Sequence, residues 1–149
     1  MGSARWSPDR LDPECYPAPG VDLTVFYGDL DTQGHLNNVA FGRFFEQARF
    51  TAHRAVGMPA VSAAEGAYFL VARVSIDYLQ EGRFGSDLHV RTRLAKVGSS
   101  SLLEEQAAWQ GGACVALAEI VMVYSRDGAS TPITAPMREV VDRLQPAVS

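Results

Sequence analysis

The spacing of apolar residues changes period once, and that change constrains the fold more than any other feature of the chain. Between Asn38 and Val56, the residues Phe41, Phe44, Phe45, Ala48, Ala52, Ala55 and Val56 recur at three- and four-residue intervals, with Val39 beside them. That is the repeat of a helix with one buried face. Arg43, Glu46, Gln47, Arg49, His53 and Arg54 fill the polar side. Asn37 suits the N-cap, because its side-chain oxygen can accept an orphan amide of the first turn. Gly57 suits the left-handed residue that ends a helix, and Pro59 opposes its continuation.

From residue 70 the period becomes two. Leu70, Ala72, Val74, Ile76 and Tyr78 alternate with Arg73, Ser75 and Asp77. Residues 87–97 repeat the pattern, with Leu88, Val90, Thr92 and Leu94 opposite His89, Arg91 and Arg93. Residues 102–109 and 114–124 complete a meander, with turn signals at 81–85, 98–100 and 111–112. Residues 21–27 predict an earlier strand, with Val21, Leu23, Val25 and Tyr27 on one face. Residues 137–144 predict a short surface helix. Links this short join antiparallel neighbours. One long amphipathic helix beside a sheet with a face to cover implies an α+β domain, its sheet curled around the helix.

The chain of 149 residues suits one domain, read as residues 21–149 after an irregular, proline-rich leader over 1–20. Trp6 or Tyr16 is the expected anchor of that leader. A net charge of −4 gives no footprint for nucleic acid. No run of about 18 apolar residues predicts a membrane span, and no secretory pattern opens the chain. The expected location is the cytoplasm. Cys15 lies in the leader and Cys114 in an apolar run, settings that suit neither a disulfide framework nor a metal site.

Chemistry concentrates in residues 29–38. Asp29 and Asp31 lie two apart, Gly34-His35 follows, and a helix begins after an Asn cap. A helix N-terminus offers free N–H groups and a partial positive charge, which can polarise a carbonyl oxygen. A carboxylate beside it can attack the carbonyl carbon or activate a water. Asp-rich turns before helices are also common for purely structural reasons, since they form Asx turns.

The stretch YGDLDTQGHLNNVAFGRFFEQAR, residues 27–49, resembles the signature of the 4-hydroxybenzoyl-CoA thioesterase-like family of hotdog proteins. The likeness continues through VARVSIDY at 71–78, GSDL at 85–88 and VGSSS at 97–101, and covers about residues 21–125. It implies a five- or six-stranded antiparallel sheet wrapped around one long central helix. It implies an acyl-CoA thioesterase releasing a free carboxylic acid and coenzyme A, with no further cofactor. The second aspartate of the family pattern falls on Asp31, as nucleophile or general base. Asn38 then supplies the polarising N–H, Gly34 permits close approach of substrate, and Asn37 holds the loop. Asp29 orients the turn. The resemblance also implies a homodimer or homotetramer with sites across subunit interfaces.

His35 fits two roles, a proton shuttle or thioester contact, and a turn residue bonded to backbone. Glu46 is expected to pair with Arg43 or Arg49. His53 and His89 are expected to be solvated. Phe41, Phe44, Phe45 and Tyr68 are candidate walls of an acyl pocket. Arg73, Arg83, Arg91 and Lys96, with Ser99 and Ser100, are candidates for the coenzyme A phosphates. Two other readings stand: a hotdog module that holds acyl-CoA without turnover, and a thioesterase acting on acyl-carrier-protein thioesters. A hydratase is disfavoured, because the chain lacks the Gly-Asp-x-Asn-Pro-x-x-His spacing.

Overall fold

Prolines open helical turns in the leader rather than preventing them. In the computed structural model, which describes residues 6–17 and 20–146, α1 spans Pro8–Leu11 and a 3-10 turn spans Pro13–Cys15. Each proline is the first residue of its turn, where its missing N–H has no partner to lose. The expected leader residues 1–5, 18 and 19, and residues 147–149, lie outside the described residues.

Strand β1 is Val21–Leu23, shorter than the expected 21–27. Tyr27–Asp29 coils into a 3-10 turn, because the Asp29 carboxylate accepts the Phe26 N–H at 2.8 Å. Tyr27 is therefore exposed and does not share the inward face with buried Val25.

Helix α2 spans Asn38–Val56, and the Asn37 side chain accepts the Val39 N–H at 3.0 Å. Gly57 ends it with φ 92°. Ala40, Phe41, Phe44, Phe45 and Ala48 form the buried face. Two residues depart from the expected pattern: Val39 is 78% exposed and Arg49 is buried. A second helix, α3 at Met58–Glu65, follows at once. It was not expected from Pro59, which ends one helix but is tolerated in the first turn of the next.

The four long strands are β2 (Tyr68–Tyr78), β3 (Leu88–Val97), β4 (Ser101–Gln110) and β5 (Ala113–Arg126), with a two-residue β6 at Ala129–Ser130; only β3, β4 and β5 form a meander, because β2 pairs with β5 and not, as the short 81–85 link implied, with β3. The order is β1-β3-β4-β5-β2, antiparallel throughout, with β6 on β5. Helix α4 at Ala135–Val141 and a 3-10 turn at Asp142–Leu144 close the chain. This segment is not a surface helix: Met137, Val140, Val141 and Leu144 are buried against the core. The whole is the hotdog architecture, a curled antiparallel sheet around one long helix.

The inward face of β2 also differs from the simple alternation. A bulge between Val71 and Arg73 shifts the register. Phe69, Val71, Val74, Ile76 and Tyr78 pair with Tyr124, Met122, Ile120, Ala118 and Ala116, all core residues. Cross-strand partners share a face, so these five point toward α2. Leu70 and Arg73 point away, and Ala72, without a partner between Val71 and Arg73, is the extra residue of the bulge.

The convex face of the sheet carries the leader. Tyr16 meets Trp109 edge-on at 5.6 Å, and the Trp109 indole donates to the Leu11 carbonyl at 2.9 Å. Arg93 reaches the Asp9 carboxylate at 2.7 Å and the Glu105 carboxylate at 2.9 Å. Arg10 is held by Glu105 at 3.1 Å.

Candidate active site

The loop that precedes α2 is built around the Asp31 side chain. Its Oδ1 accepts the Gln33 N–H at 2.9 Å and the His35 N–H at 3.1 Å. The Asp31 N–H donates to the His35 carbonyl at 2.8 Å, and the Gly34 N–H donates to the Asp31 carbonyl at 3.1 Å. Gly34 takes φ +80°, which closes the turn without a Cβ clash. Among the described residues, Oδ2 of Asp31 makes no hydrogen bond. An Asx turn needs one oxygen; the second is left for other chemistry.

Asp31 opens onto a cavity of about 340 Å³ that it shares with His35, Asn38, Phe41, Tyr78 and the segment 79–82. Asn38 is the first residue of α2, and its N–H has no protein partner among the described residues. Its carbonyl accepts the Tyr78 hydroxyl at 3.2 Å. Phe41 forms a buried wall, with Tyr78 edge-on to it at 5.5 Å. The structure thus places a carboxylate oxygen, a free first-turn amide and an aromatic wall around one space.

Asp29 stabilises the turn from behind. Its carboxylate takes the Phe26 N–H and the Arg43 guanidinium, and its carbonyl accepts the Asn37 N–H at 2.8 Å. Arg43 is therefore committed to Asp29 and not to Glu46. The His35 ring lies against the Glu81 carboxylate, at 3.0 Å, rather than against backbone.

Tyr78, Gln80, Glu81 and Gly82 line the cavity and were not singled out from the sequence. The signal for them was Gly82. A Cβ there would lie 2.9 Å from Leu36, so only glycine lets segment 79–82 dock on the loop. The Leu36 N–H then donates to the Gly82 carbonyl at 2.8 Å.

The remaining candidates lie elsewhere. Tyr68 pairs with Ser125 at the far end of β2, and Arg73 sits opposite Val121 on the outward face. Ser99 and Ser100 form the β3–β4 turn, at the end of the sheet away from Asp31. Their carbonyls accept the Ile133 and Tyr124 N–H groups at 2.9 and 2.8 Å. Arg91 donates to the Pro13 carbonyl at 3.0 Å and to His89 at 2.9 Å, under the leader. Lys96 pairs across to Leu103. Of the basic candidates, Arg83 is the one whose backbone bridges to His35.

A second polar cluster lies under α2. Glu104 and Gln106 share the inward face of β4, and both are fully buried. His53 bonds both Glu104 oxygens, at 2.7 and 2.8 Å. Arg49 donates to Gln106 at 3.2 Å, and Gln106 donates to the Phe45 carbonyl and to Thr92. Burial pulls the Arg49 guanidinium below its usual pKa, against the opposing pull of Glu104 and Glu46. His53 is thus half-buried and paired, not solvated, because β4 presents acceptors that α2 must answer. His89 is likewise paired, to Asp22 at 2.8 Å.

Residues 25–143 match the thioesterase-like superfamily. A thioesterase from Thermus thermophilus, crystallised with coenzyme A and Zn, shares 30% identity and a TM-score of 0.79, over 89% of this chain and 96% of that one. The PA5185 protein of Pseudomonas aeruginosa shares 26% identity and a TM-score of 0.78, over 91% and 96%. TT1821, also of Thermus thermophilus, has the same fold, at 22% identity and a TM-score of 0.78 over 86% and 100%. No curated protein matches the chain. No group of three or more His, Cys, Asp or Glu is gathered to hold a metal among the described residues. No described helix is long and apolar enough to cross a membrane.

Proposed function

The chain belongs to the thioesterase-like superfamily, and on that premise we propose that it hydrolyses acyl-coenzyme A thioesters with Asp31 as the reacting carboxylate. The supporting observation is the division of labour within one side chain. Oδ1 is fixed by two backbone amides, while Oδ2 is unengaged at a cavity that also holds the start of α2. A helix N-terminus stabilises the negative oxygen that develops as the carbonyl carbon becomes tetrahedral. The Asn38 N–H is the donor in position to do so.

Two routes fit a carboxylate at that point. Oδ2 takes a proton from water as the water oxygen bonds the carbonyl carbon, and the C–S bond breaks to release the thiolate. Alternatively Oδ2 itself bonds the carbon and expels the thiolate, leaving a mixed anhydride that water cleaves. Both give a carboxylic acid and coenzyme A. The coenzyme A complex of the 30%-identical thioesterase supports coenzyme A as the carrier.

Association with a second copy is part of this reading. Among the described residues, β2 ends the sheet with its outer edge unpaired, and Leu70, Val71 and Val74 are each about half exposed along it. Such an edge invites pairing.

The test is a panel of acyl-CoAs, short, long and aromatic, followed by free thiol with a thiol reagent. Thiol release that disappears in Asp31→Asn supports the proposal. Undiminished release in that variant would overturn the role of Asp31, and tight binding without release would overturn hydrolysis.

A further inference from the structure

Two short links carry aromatic side chains into solvent beside the Asp31 loop. Phe26 and Tyr27 precede that loop, and Phe84 follows the segment 79–82 that lines the Asp31 cavity. Tyr27 is 79% exposed and Phe84 56% exposed, yet the two rings meet edge-on at 6.4 Å. With Phe26 and Asp87 they line a surface hollow of about 440 Å³. Single exposed aromatics are ordinary, but several gathered in one place mark a surface for a ligand or a partner.

The hollow has a fixed frame. Phe84 sits in a link clamped by the buried Gln110 side chain. Gln110 Oε1 accepts the Arg83 N–H at 2.9 Å, and its Nε2 donates to the Arg83 and Ser86 carbonyls, both at 2.8 Å. Tyr27 is held in the 3-10 turn that the Asp29 carboxylate closes. The Arg83 guanidinium lies beside Gly111, where a Cβ would stand 3.7 Å from it. Among the described residues it makes no ion pair.

Resting on the thioesterase reading above, we propose that this hollow takes the adenine end of a coenzyme A thioester, with Tyr27 and Phe84 against the base. Aromatic rings stack on the face of a base. The Asp87 carboxylate is an acceptor for an exocyclic amine such as adenine carries. The uncommitted Arg83 guanidinium suits a phosphate. An aliphatic partner would answer neither charge. The reach also fits. The Asp31 N–H bonds the His35 carbonyl, and His35 pairs with Arg83 across an antiparallel bridge. Each such pairing sets backbones about 5 Å apart, so Arg83 stands on the order of 10 Å from Asp31, backbone to backbone. The arm from the sulfur of coenzyme A to its first phosphate has about thirteen bonds and spans ~15 Å when extended. A thioester carbonyl at Asp31 thus leaves the nucleotide at the hollow. The carrier is then coenzyme A rather than a carrier protein, whose pantetheine arm brings no base.

The experiment measures kcat/KM for one acyl group carried on coenzyme A and on pantetheine, which lacks the nucleotide. The proteins are wild type, Tyr27→Ala, Phe84→Ala and Arg83→Gln, with thermal unfolding and size-exclusion chromatography to report folding and assembly. The ratio of acyl-CoA to acyl-pantetheine is expected to fall by about tenfold in each aromatic variant, through KM and not kcat. An unchanged ratio in folded protein, with thiol release intact, overturns the role of the hollow and leaves the thioesterase reading standing. Calorimetric titration with coenzyme A and with pantetheine reads the hollow without turnover. Tighter binding of coenzyme A that is lost in Tyr27→Ala or Phe84→Ala supports the proposal even where no thioester is cleaved. Equal affinity for the two in wild type overturns it. A changed assembly state with no change in the ratio assigns the aromatic pair to a second copy and also overturns it.

Discussion

Asp31 and His35 are joined twice: the Asp31 N–H donates to the His35 carbonyl at 2.8 Å, and the Asp31 carboxylate accepts the His35 N–H at 3.1 Å. This reciprocal pairing closes the loop with one carboxylate oxygen and leaves the other unengaged. The structural and chemical demands on residue 31 are therefore separable. An asparagine offers the same acceptor to the loop but cannot act as a base or an anionic nucleophile. Asp31→Asn should unfold within about 1 °C of wild type, while kcat/KM for thioester hydrolysis falls by about 10²–10⁴. A loss of activity accompanied by a large loss of stability would assign Asp31 to the turn alone.

The cap on α2 gives a second expectation. The Asn37 side chain holds the Val39 N–H at 3.0 Å. Asn37→Ala should cost about 1 kcal/mol, seen as a fall of about 3–4 °C in Tm. Asn37→Asp keeps the acceptor and adds a charge favoured at a helix N-terminus, so it should recover most of that stability. Urea titration of the three proteins checks the order.

The pairing of half-buried His53 with buried Glu104 predicts a larger effect. Glu104 is fully buried, and the His53 ring serves both of its oxygens. His53→Ala leaves that carboxyl buried without its donor and should cost about 3 kcal/mol. Replacing both residues by apolar ones removes the stranded group, so His53→Leu with Glu104→Met should be more stable than His53→Ala. Chemical denaturation of the single and double variants reports the difference.

The leader is docked by charge, and acid should release it. The Asp9 carboxyl is held below its usual pKa, first by a hydrogen bond from the Ser7 side chain and then by Arg93. A carboxyl depressed in the folded state adds stability above its unfolded value, and that contribution fades as pH falls through the folded value. Docking should therefore be intact at neutral pH and weaken below about pH 4. Tryptophan fluorescence is the readout, since Trp109 packs on Tyr16 and donates to Leu11. Asp9→Asn should abolish the acid transition.

Cys114 provides an independent probe of the same face. Burial pushes its thiol up to about 11, so the reactive thiolate is scarce at pH 8. Alkylation of Cys114 should be slow in the intact protein and faster when residues 6–17 are removed. Equal rates, followed by mass spectrometry, would show that the leader does not shield it.

Much of this protein is written in local sequence. The bounds of α2 follow from the spacing of Phe41, Phe44, Phe45 and Ala48 between Asn37 and Gly57, because caps and periodicity act within a turn or two of chain. The four long strands follow from two-residue alternation, though not that β2 pairs with β5, and Asp31 stands out through the family pattern around it. Other features depended on the packed fold. Gly82 carries Glu81 and Gln80 to the cavity only because β2 and β3 bring that link against Leu36. Arg49 and His53 look like surface residues until β4 sets Glu104 and Gln106 beneath them. Val71 and Phe69 turn inward only through the bulge that pairs them with Met122 and Tyr124. Periodicity records which residues prefer burial, but which polar groups meet across the core depends on pairing between segments distant in the chain, and no local pattern encodes it.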